Sequence, residues 1–263
     1  MSCEGNVGAF FDLDGTLLPA PSVERRFIFF LLMRRLIGPA QFARSAARFI
    51  TNIMKSPNAA IGANKMHFSG MSIRYVDEWS RRLTSHPVKF FSAGLDRFEF
   101  HFAQEHQIFL ITGAPAPLAE VVADYFFVPL KIVGTQLEAR DGLWTGEIAG
   151  EHMSGAAKRR AIVRLAAAYR LDLARSFAYG DSISDLPMLE TVGHPVAVNP
   201  SANLERLAHD RNWPVFCWRS RGRGRPRCEI QNPRVESSRN ALQARPALHA
   251  GLMQSINVRG TNR

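Results

Sequence analysis

Three short apolar runs in this sequence each end on polar residues able to do chemistry, and this repeated design constrains the fold more than any other feature. The runs are VGAFFDL over residues 7–13, IFLIT over 108–112 and FAYGDS over 177–182. A run that is apolar on both faces is typical of a strand buried in a parallel sheet. Two shorter runs, KIV at 131–133 and VAV at 196–198, predict further strands of the same sheet.

Helical spacing of apolar residues separates several of these runs. Such spacing recurs over residues 115–125, 161–169 and 186–192, and Pro115 and Pro117 suit the first turn of the earliest of these helices. Alternation of strands and helices is the pattern of an α/β protein with a doubly wound parallel sheet. We therefore expect one α/β core.

Residues 20–90 interrupt the alternation and show helical spacing only. One predicted helix carries Phe42, Ala46, Phe49, Ile50 and Ile53 on one face, and another carries Ile73, Val76, Trp79 and Leu83 after a candidate N-cap at Ser72. An insertion after the first strand lies over the carboxyl ends of the strands, where open α/β sheets bind ligands. We predict a core formed by residues 1–19 and 91–218 with an all-helical cap at 20–90.

The longest run of large apolar residues, Phe27–Met33, has seven members and is bracketed by arginines. Spanning a membrane takes about 20 such residues, so no transmembrane segment is predicted. The run has two interpretations, a lipid-facing surface and a cap helix packed against its neighbours. The N-terminus shows no signal-peptide pattern, and three cysteines are too few for a disulfide framework, so a cytoplasmic protein is expected.

Most of the net charge of +10 lies in the last 45 residues. Residues 219–263 contain ten arginines, no lysine, two acids and no aromatic residue. Such a segment buries too little apolar area to offset the entropy of ordering it, so we predict a disordered Arg-rich tail. It is expected to contact polyanions non-specifically, and its Arg223–Arg227 segment resembles an AT-hook. An alternative function follows, that of a nucleic-acid-associated or regulatory protein using this tail.

Four groups of polar residues lie at or near predicted strand ends or helix starts. They are Asp12 with Asp14, Thr112 with Gly113, Lys158, and Asp181 with Asp185. Converging carboxylates repel each other unless a cation lies among them. Four carboxylates and one lysine suit Mg²⁺ and a phosphate dianion, and a carboxylate beside such a cation can attack phosphorus.

In order and spacing, the segments FFDLDGTLL, LITGA, Gly155-x-x-Lys158 and GDSISDLPML resemble the four motifs of the haloacid-dehalogenase-like (HAD) hydrolase superfamily. The resemblance covers about residues 7–210. The helical insertion between the first two motifs is similar to that of subfamily IB, the phosphoserine-phosphatase-like branch. The resemblance implies a Rossmann-like core and a Mg²⁺-dependent phosphatase that works through an aspartyl-phosphate.

The resemblance also implies roles for individual residues. Asp12 resembles the nucleophile, and Asp14 resembles the general acid/base that protonates the leaving alcohol and then activates water. Lys158 would offset anionic charge, while Thr112 and the backbone N–H groups around Gly113 would bind phosphoryl oxygens. Dehalogenases lack an acid at the position of Asp14, so its presence implies a phosphatase, although transfer to a second alcohol, as in a mutase, stays open.

The same resemblance implies a Mg²⁺ site. Its ligands would be the carboxylates of Asp12 and Asp181 and the backbone carbonyl of Asp14, with Asp185 holding metal-bound water and orienting Lys158.

The substrate is expected to be a small phosphate ester, and phosphoserine and lipid-derived phosphates are both open. Phosphoserine phosphatases place a glutamate shortly after the first motif to hold the substrate amine. The usual interval reaches Pro21 here, and Glu24, one helical turn further on, is the candidate substrate-binding residue. His67, His152 and His194 show no partner pattern and are interpreted as surface or packing residues.

Overall fold

The computed structural model describes residues 5–36, 65–84, 89–126 and 129–218, together with the isolated positions 38, 43, 47, 50 and 54. Of the predicted helix over 42–53, only residues 43, 47 and 50 are among them. The predicted tail, 219–263, lies outside the described residues.

A six-stranded sheet forms the centre of the described part, and all of its strand pairs are parallel. The strands are β1 Gly8–Phe11, β2 Gln107–Pro115, β3 Lys131–Thr135, β6 Phe177–Gly180, β7 His194–Val198 and β8 Val215–Phe216. Their order in the sheet is β3-β2-β1-β6-β7-β8. The predicted α/β fold with a doubly wound parallel sheet is confirmed, and β8 adds an edge strand too short to show a pattern.

Helices cover both faces of this sheet. Side chains alternate between the faces, so Phe11, Leu110 and Tyr179 join one apolar cluster while Phe10, Phe109 and Ala178 join the other. The helices are α1 Val23–Met33, α2 Ile73–Thr84, α3 Ser92–Ala103, α4 Ala116–Ala123, α5 Ala156–Tyr169, α6 Leu186–Leu189 and α7 Ala202–Asp210. None of them is long and apolar enough to cross a membrane.

Between β1 and β2, the elements among the described residues are helices and one 3₁₀ turn, Met66–Phe68, and Ser72 forms an isolated bridge to Leu143. Phe27 and Leu31 of α1 are buried, as in a packed helix, whereas Phe29, Leu32 and Met33 of the same run are exposed. All described residues belong to one compact unit. The division into core and cap remains a prediction.

A two-stranded antiparallel hairpin was missed by the sequence analysis. It pairs β4 Leu137–Arg140 with β5 Leu143–Ile148 and joins the inserted segment, since Trp144 exchanges backbone hydrogen bonds with Gly70 and Met71. Its turn is Asp141-Gly142, with φ of 52° and 75°. Asp-Gly with two positive φ angles is a preferred two-residue hairpin turn, so this dipeptide was the available signal.

The described chain ends on a packed residue. Trp218 is buried, and its backbone N–H donates to Asn199 Oδ1 at 2.8 Å. Trp218 therefore belongs to the folded part, and the boundary between folded part and tail after residue 218 remains a prediction.

Candidate active site

The order of the strands brings the first, second and fourth motifs together. β1 lies between β2 and β6, so the segments that follow these strands share one edge of the sheet. The backbone N–H of Asp12 extends the pairing by donating to the carbonyl of Tyr179 at 3.0 Å. Carboxyl ends of parallel strands at such an edge form the usual ligand crevice of α/β folds.

Gly15 allows the chain to turn sharply after Asp14 and to approach the fourth motif closely. Its φ is +92°, and a Cβ atom at this position would overlap the carboxylate of Asp181. The side-chain amide of Asn199 donates to the carbonyl of Gly15 at 3.1 Å and holds the turn from outside. A side chain at position 15 would therefore fill space that Asp181 occupies.

Lys158 occupies the centre of the site. It extends from the first turn of α5, is buried, and its Nζ lies 2.5 Å from Asp12 Oδ1 and 2.6 Å from Asp185 Oδ1. Burial alone lowers the pKa of the Lys158 ammonium, but the charges of the two carboxylates outweigh that effect and hold the pKa above its usual value. Burial, with the charges of Asp185 and Asp181, raises the pKa of the Asp12 carboxyl despite the attraction of Lys158.

Asp185 is fixed by its own loop. Its Oδ2 accepts hydrogen bonds from the backbone N–H groups of Asp181 and Ser182, at 3.2 and 3.1 Å, and from the Ser182 hydroxyl at 2.9 Å. Gly180 makes this possible, because a Cβ there would lie 2.5 Å from the Cβ of Asp185. The other oxygen, Oδ1, is thereby aimed at Lys158.

Asp12, Asp181 and Asp185 form the acidic group that could hold a metal ion. One carboxylate oxygen of each lies within 4.8 Å of the others. Lys158 lies against two of these three carboxylates, those of Asp12 and Asp185. Carboxylate oxygens so close together are the ligands that a hard divalent cation such as Mg²⁺ prefers. The carbonyl of Asp14 as a fourth ligand remains a prediction.

The carboxylate of Asp14 has a different environment. Its Oδ1 accepts a hydrogen bond from the backbone N–H of Val23 at 2.8 Å, which ties it to the start of α1. Burial raises the pKa of Asp14 to about 6; the Val23 hydrogen bond opposes this shift and the charge of Glu24 adds to it. A carboxyl group with such a pKa can exist in both protonation states near neutral pH.

A cavity of about 220 Å³ opens over these groups. Every site residue predicted from the sequence lines it: Asp12, Asp14, Glu24, Thr112, Gly113, Lys158, Asp181 and Asp185. Thr112 is buried at the cavity wall, and its Oγ1 accepts a hydrogen bond from the backbone N–H of Ala114 at 3.1 Å, which orients the hydroxyl. The structure thus brings all the predicted residues together around one space.

Glu24 of α1 lines the cavity and makes two contacts that the sequence analysis did not predict. Its Oε2 lies 2.5 Å from Lys65 Nζ, and its Oε1 lies 3.1 Å from His67 Nε2. Burial raises the pKa of Glu24, but the His67 hydrogen bond and the charge of Lys65 more than offset this and lower it overall. Glu24 is therefore held as an anion that is already paired.

Two histidines that the sequence analysis interpreted as surface or packing residues lie at the site. His67 contacts Glu24, and His152 lines the cavity, where burial lowers its pKa to about 4 and keeps the imidazole neutral. The sequence gives no spacing relative to the motifs that would single out Lys65, His67 and His152. These residues reach the site through the packing of the inserted segment and through the chain that follows β5.

Comparisons with known proteins agree with this geometry. Residues 9–190 match the family described as haloacid dehalogenase-like hydrolase. A phosphoserine phosphatase of Mycobacterium tuberculosis, SerB1, is 31% identical over 219 residues, covering 79% of this chain and 69% of the relative. A histidinol-phosphatase of Neisseria meningitidis is 27% identical over 222 residues, covering 79% of this chain and 97% of the relative.

Among solved structures, a protein of unknown function from Bordetella pertussis superposes with a TM-score of 0.68 at 26% identity. That match covers 81% of this chain and all of the other. The family match spans all four motifs and the strands that carry them. The chain therefore belongs to the haloacid dehalogenase-like hydrolases, and its enzyme class, that of a hydrolase with phosphatase relatives, is the one that its motifs predict.

Proposed function

We propose that this protein is a Mg²⁺-dependent phosphomonoesterase in which the Asp12 carboxylate attacks phosphorus and becomes an aspartyl-phosphate. One observation carries the proposal: the buried Lys158 ammonium lies between Asp12 and Asp185, with Asp14 two residues further along the same cavity. The match to the hydrolase family supports it.

In the first step, an oxygen of Asp12 bonds to phosphorus while the bond from phosphorus to the leaving oxygen breaks. Asp14, in its protonated form, gives its proton to that leaving oxygen, so the product departs as an alcohol. The Lys158 ammonium offsets the negative charge shared by Asp12 and the phosphoryl group. The hydroxyl of Thr112 and the backbone N–H of Gly113 are proposed to donate to phosphoryl oxygens.

In the second step, the Asp14 carboxylate takes a proton from water, and the resulting oxygen bonds to phosphorus. The bond between phosphorus and the Asp12 oxygen breaks, so inorganic phosphate is released and the Asp12 carboxylate is restored.

Asp12, Asp181 and Asp185 are the residues that would hold Mg²⁺. The bound ion supplies positive charge that polarises the phosphoryl group and balances the carboxylates around it. The fit rests on the oxygen ligands described above, one from each of three neighbouring carboxylates.

The inserted helices are proposed to act as a cap that chooses the leaving group. Glu24 of α1 and Lys65, both from this segment, line the cavity, which supports that assignment. Phosphoserine is one candidate substrate, and a lipid-derived phosphate is the other. A substrate amine would have to compete with Lys65 and His67 for Glu24, so a phosphate ester without an amine is expected to be hydrolysed at least as well as phosphoserine.

The decisive experiment replaces the nucleophile. Asp12→Asn keeps the shape of the side chain but removes its nucleophilic charge, so single-turnover phosphate release should disappear while the circular dichroism spectrum stays unchanged. Asp210→Asn, at an exposed aspartate of α7, is the matched control and should behave as wild type. Acid-quenched wild-type protein should carry a phosphoryl group on the Asp12 peptide. Near-wild-type release by the Asp12→Asn variant would overturn the proposal.

A panel of soluble phosphate esters then separates the substrate classes. Phosphoserine, glycerol phosphate and a short-chain lysophosphatidate should each be tested with Mg²⁺ and with a chelator. Activity that requires Mg²⁺ and prefers an ester without an amine is expected. A strong preference for phosphoserine that Glu24→Gln abolishes would assign the amine to Glu24 instead.

A further inference from the structure

Helix α1 has a second apolar face that the described residues leave exposed. Val23, Phe27 and Leu31 face the core. On another face, Phe29, Leu32 and Met33 are 64%, 43% and 68% exposed. These three positions follow i, i+3 and i+4, so they form one stripe at the carboxyl end of the helix, and Leu36, 36% exposed, lies beyond the helix end. We call it the α1 stripe.

An exposed apolar stripe of this size calls for a partner. Single exposed apolar residues are common, but contiguous ones mark an interaction surface. By contrast, Val163 is the one exposed large apolar residue among those described in α5, a longer helix. The mechanism proposed above makes no use of the α1 stripe.

The charge around the stripe indicates which partner fits. Residues 25–36 contain four arginines and no aspartate or glutamate. Arg25 precedes the stripe and Arg34 and Arg35 follow it, all three exposed, and the Arg34 guanidinium lies 5.6 Å from the centre of the Phe30 ring. A second copy of this chain would bring one such basic segment against another, whereas an anionic lipid surface would be attracted by it.

We propose that the α1 stripe, with Arg25, Arg34 and Arg35, docks on the surface of an anionic lipid bilayer. The apolar side chains enter the boundary between headgroups and acyl chains, and the arginines bind the lipid phosphates, as in interfacial amphipathic helices. Glu24 at the start of the same helix lines the cavity, and Met33 is nine residues further on, about 14 Å along the axis. Docking therefore places the cavity close to the membrane surface.

The test uses the full-length protein and vesicles of phosphatidylcholine with or without phosphatidylglycerol. The tail also carries ten arginines, but contacts made by charge alone weaken steeply as salt rises. At about 0.5 M salt, the attraction between charges more than about 3–5 Å apart is largely screened. Under this condition, the combined variant Phe29→Ser, Leu32→Ser, Met33→Ser should bind anionic vesicles at least tenfold more weakly than wild type. The variant Phe102→Ser, Val163→Ser removes exposed apolar residues elsewhere and should bind as wild type.

A local probe makes the result specific to α1. In a Phe29→Trp variant, anionic vesicles should shift the added tryptophan emission to shorter wavelength, and brominated lipid should quench it. Phe102→Trp should show neither change. The circular dichroism spectrum and the melting temperature of the triple-serine variant should match those of wild type, which shows that its fold is intact, and neither readout depends on the proposed function.

Three results would overturn the proposal. The first is equal vesicle binding by wild type and the triple-serine variant at high salt. The second is the absence of any spectral change in Phe29→Trp. The third is a wild-type dimer, seen by light scattering, that the triple-serine variant converts to a monomer while vesicles have no effect, which would assign the α1 stripe to a second copy of the chain.

Discussion

Lys158 Nζ lies 2.5 Å from Asp12 Oδ1, across 146 positions of sequence. This contact joins two elements of the site, because Asp12 follows the central strand and Lys158 lies in the first turn of α5, on one face of the sheet. Both side chains are buried, so neither charge is well hydrated. The lysine thus stabilises the charged form of a carboxylate that burial alone would protonate.

Replacing that lysine should affect both activity and stability. Lys158→Met leaves the Asp12 and Asp185 carboxylates without their buried partner, and breaking a buried pair costs about 3–5 kcal/mol. We expect a large fall in unfolding free energy in the presence of a chelator, partial recovery with Mg²⁺, and loss of turnover in both conditions. Urea unfolding and phosphate release measure these effects. Arg164→Met, at an exposed position of the same helix, should change neither.

Gly15 and Gly150 provide a matched pair of glycines. Both have a φ of +92°, but a Cβ at Gly15 would overlap Asp181, whereas a Cβ at Gly150 meets no atom within 4 Å. Gly15→Ala and Gly150→Ala should therefore share a strain cost of about 1–3 kcal/mol. Only Gly15→Ala should also lose activity and the increase in melting temperature on adding Mg²⁺, since it displaces Asp181, a proposed metal ligand. Equal Mg²⁺ responses in the two variants would remove Asp181 from the site.

The core of the site was predictable from the sequence because its residues follow buried strands. An apolar run such as VGAFFDL indicates both that its strand is buried within the sheet and where that strand ends. The place of Asp12 at the carboxyl end of a central strand can therefore be predicted from one short segment. The pairing of Glu24 with Lys65 was not predictable, because it joins residues 41 apart in an inserted segment with no fixed register to the sheet. The β4-β5 hairpin was missed because its strands are short, although Asp141-Gly142 marked its turn.

Asp14 should matter in proportion to how much the leaving group needs a proton. Asp14→Asn keeps an oxygen to accept the Val23 hydrogen bond but cannot transfer a proton. General acid/base catalysis contributes about 10²–10⁴-fold, so we expect a loss of this size with glycerol phosphate. The loss in the first step should be much smaller with nitrophenyl phosphate, whose leaving group departs without protonation. Rapid-quench kinetics should then show phosphoenzyme accumulating. Equal losses with both esters and no accumulation would contradict this role.

A second buried network, distinct from the cavity, lies behind the central strands. His101 of α3 is fully buried; its Nε2 lies 2.7 Å from the Tyr179 hydroxyl and its Nδ1 lies 2.7 Å from Nδ1 of His106. Phe11, next to Asp12, stacks on the Tyr179 ring at 4.5 Å. Burial, with the charges of His106 and Arg97, lowers the pKa of His101 to about 2.

This network should make the protein lose stability in mild acid. In the unfolded chain His101 has a pKa of about 6.5, so below that pH the unfolded state binds a proton that the folded state excludes. Its contribution to stability is complete above pH 6.5 and is lost as pH falls from there toward the folded pKa of about 2. The expected slope from this one residue is about 1.4 kcal/mol per pH unit. Urea unfolding at intervals from pH 8 to pH 5 measures it.

The control is His101→Gln, which can still hydrogen-bond to Tyr179 but does not titrate. It should be less stable than wild type at pH 8, since one contact of a buried pair is altered, yet its unfolding free energy should fall less steeply between pH 6 and pH 5. The raised pKa values of Asp12 and Asp14 act in the opposite direction, favouring the folded state as pH falls, but they are common to both proteins and cancel in the difference of slopes. Parallel pH profiles for the two proteins would show that His101 accepts a proton in the folded state, against the burial that the structure gives it.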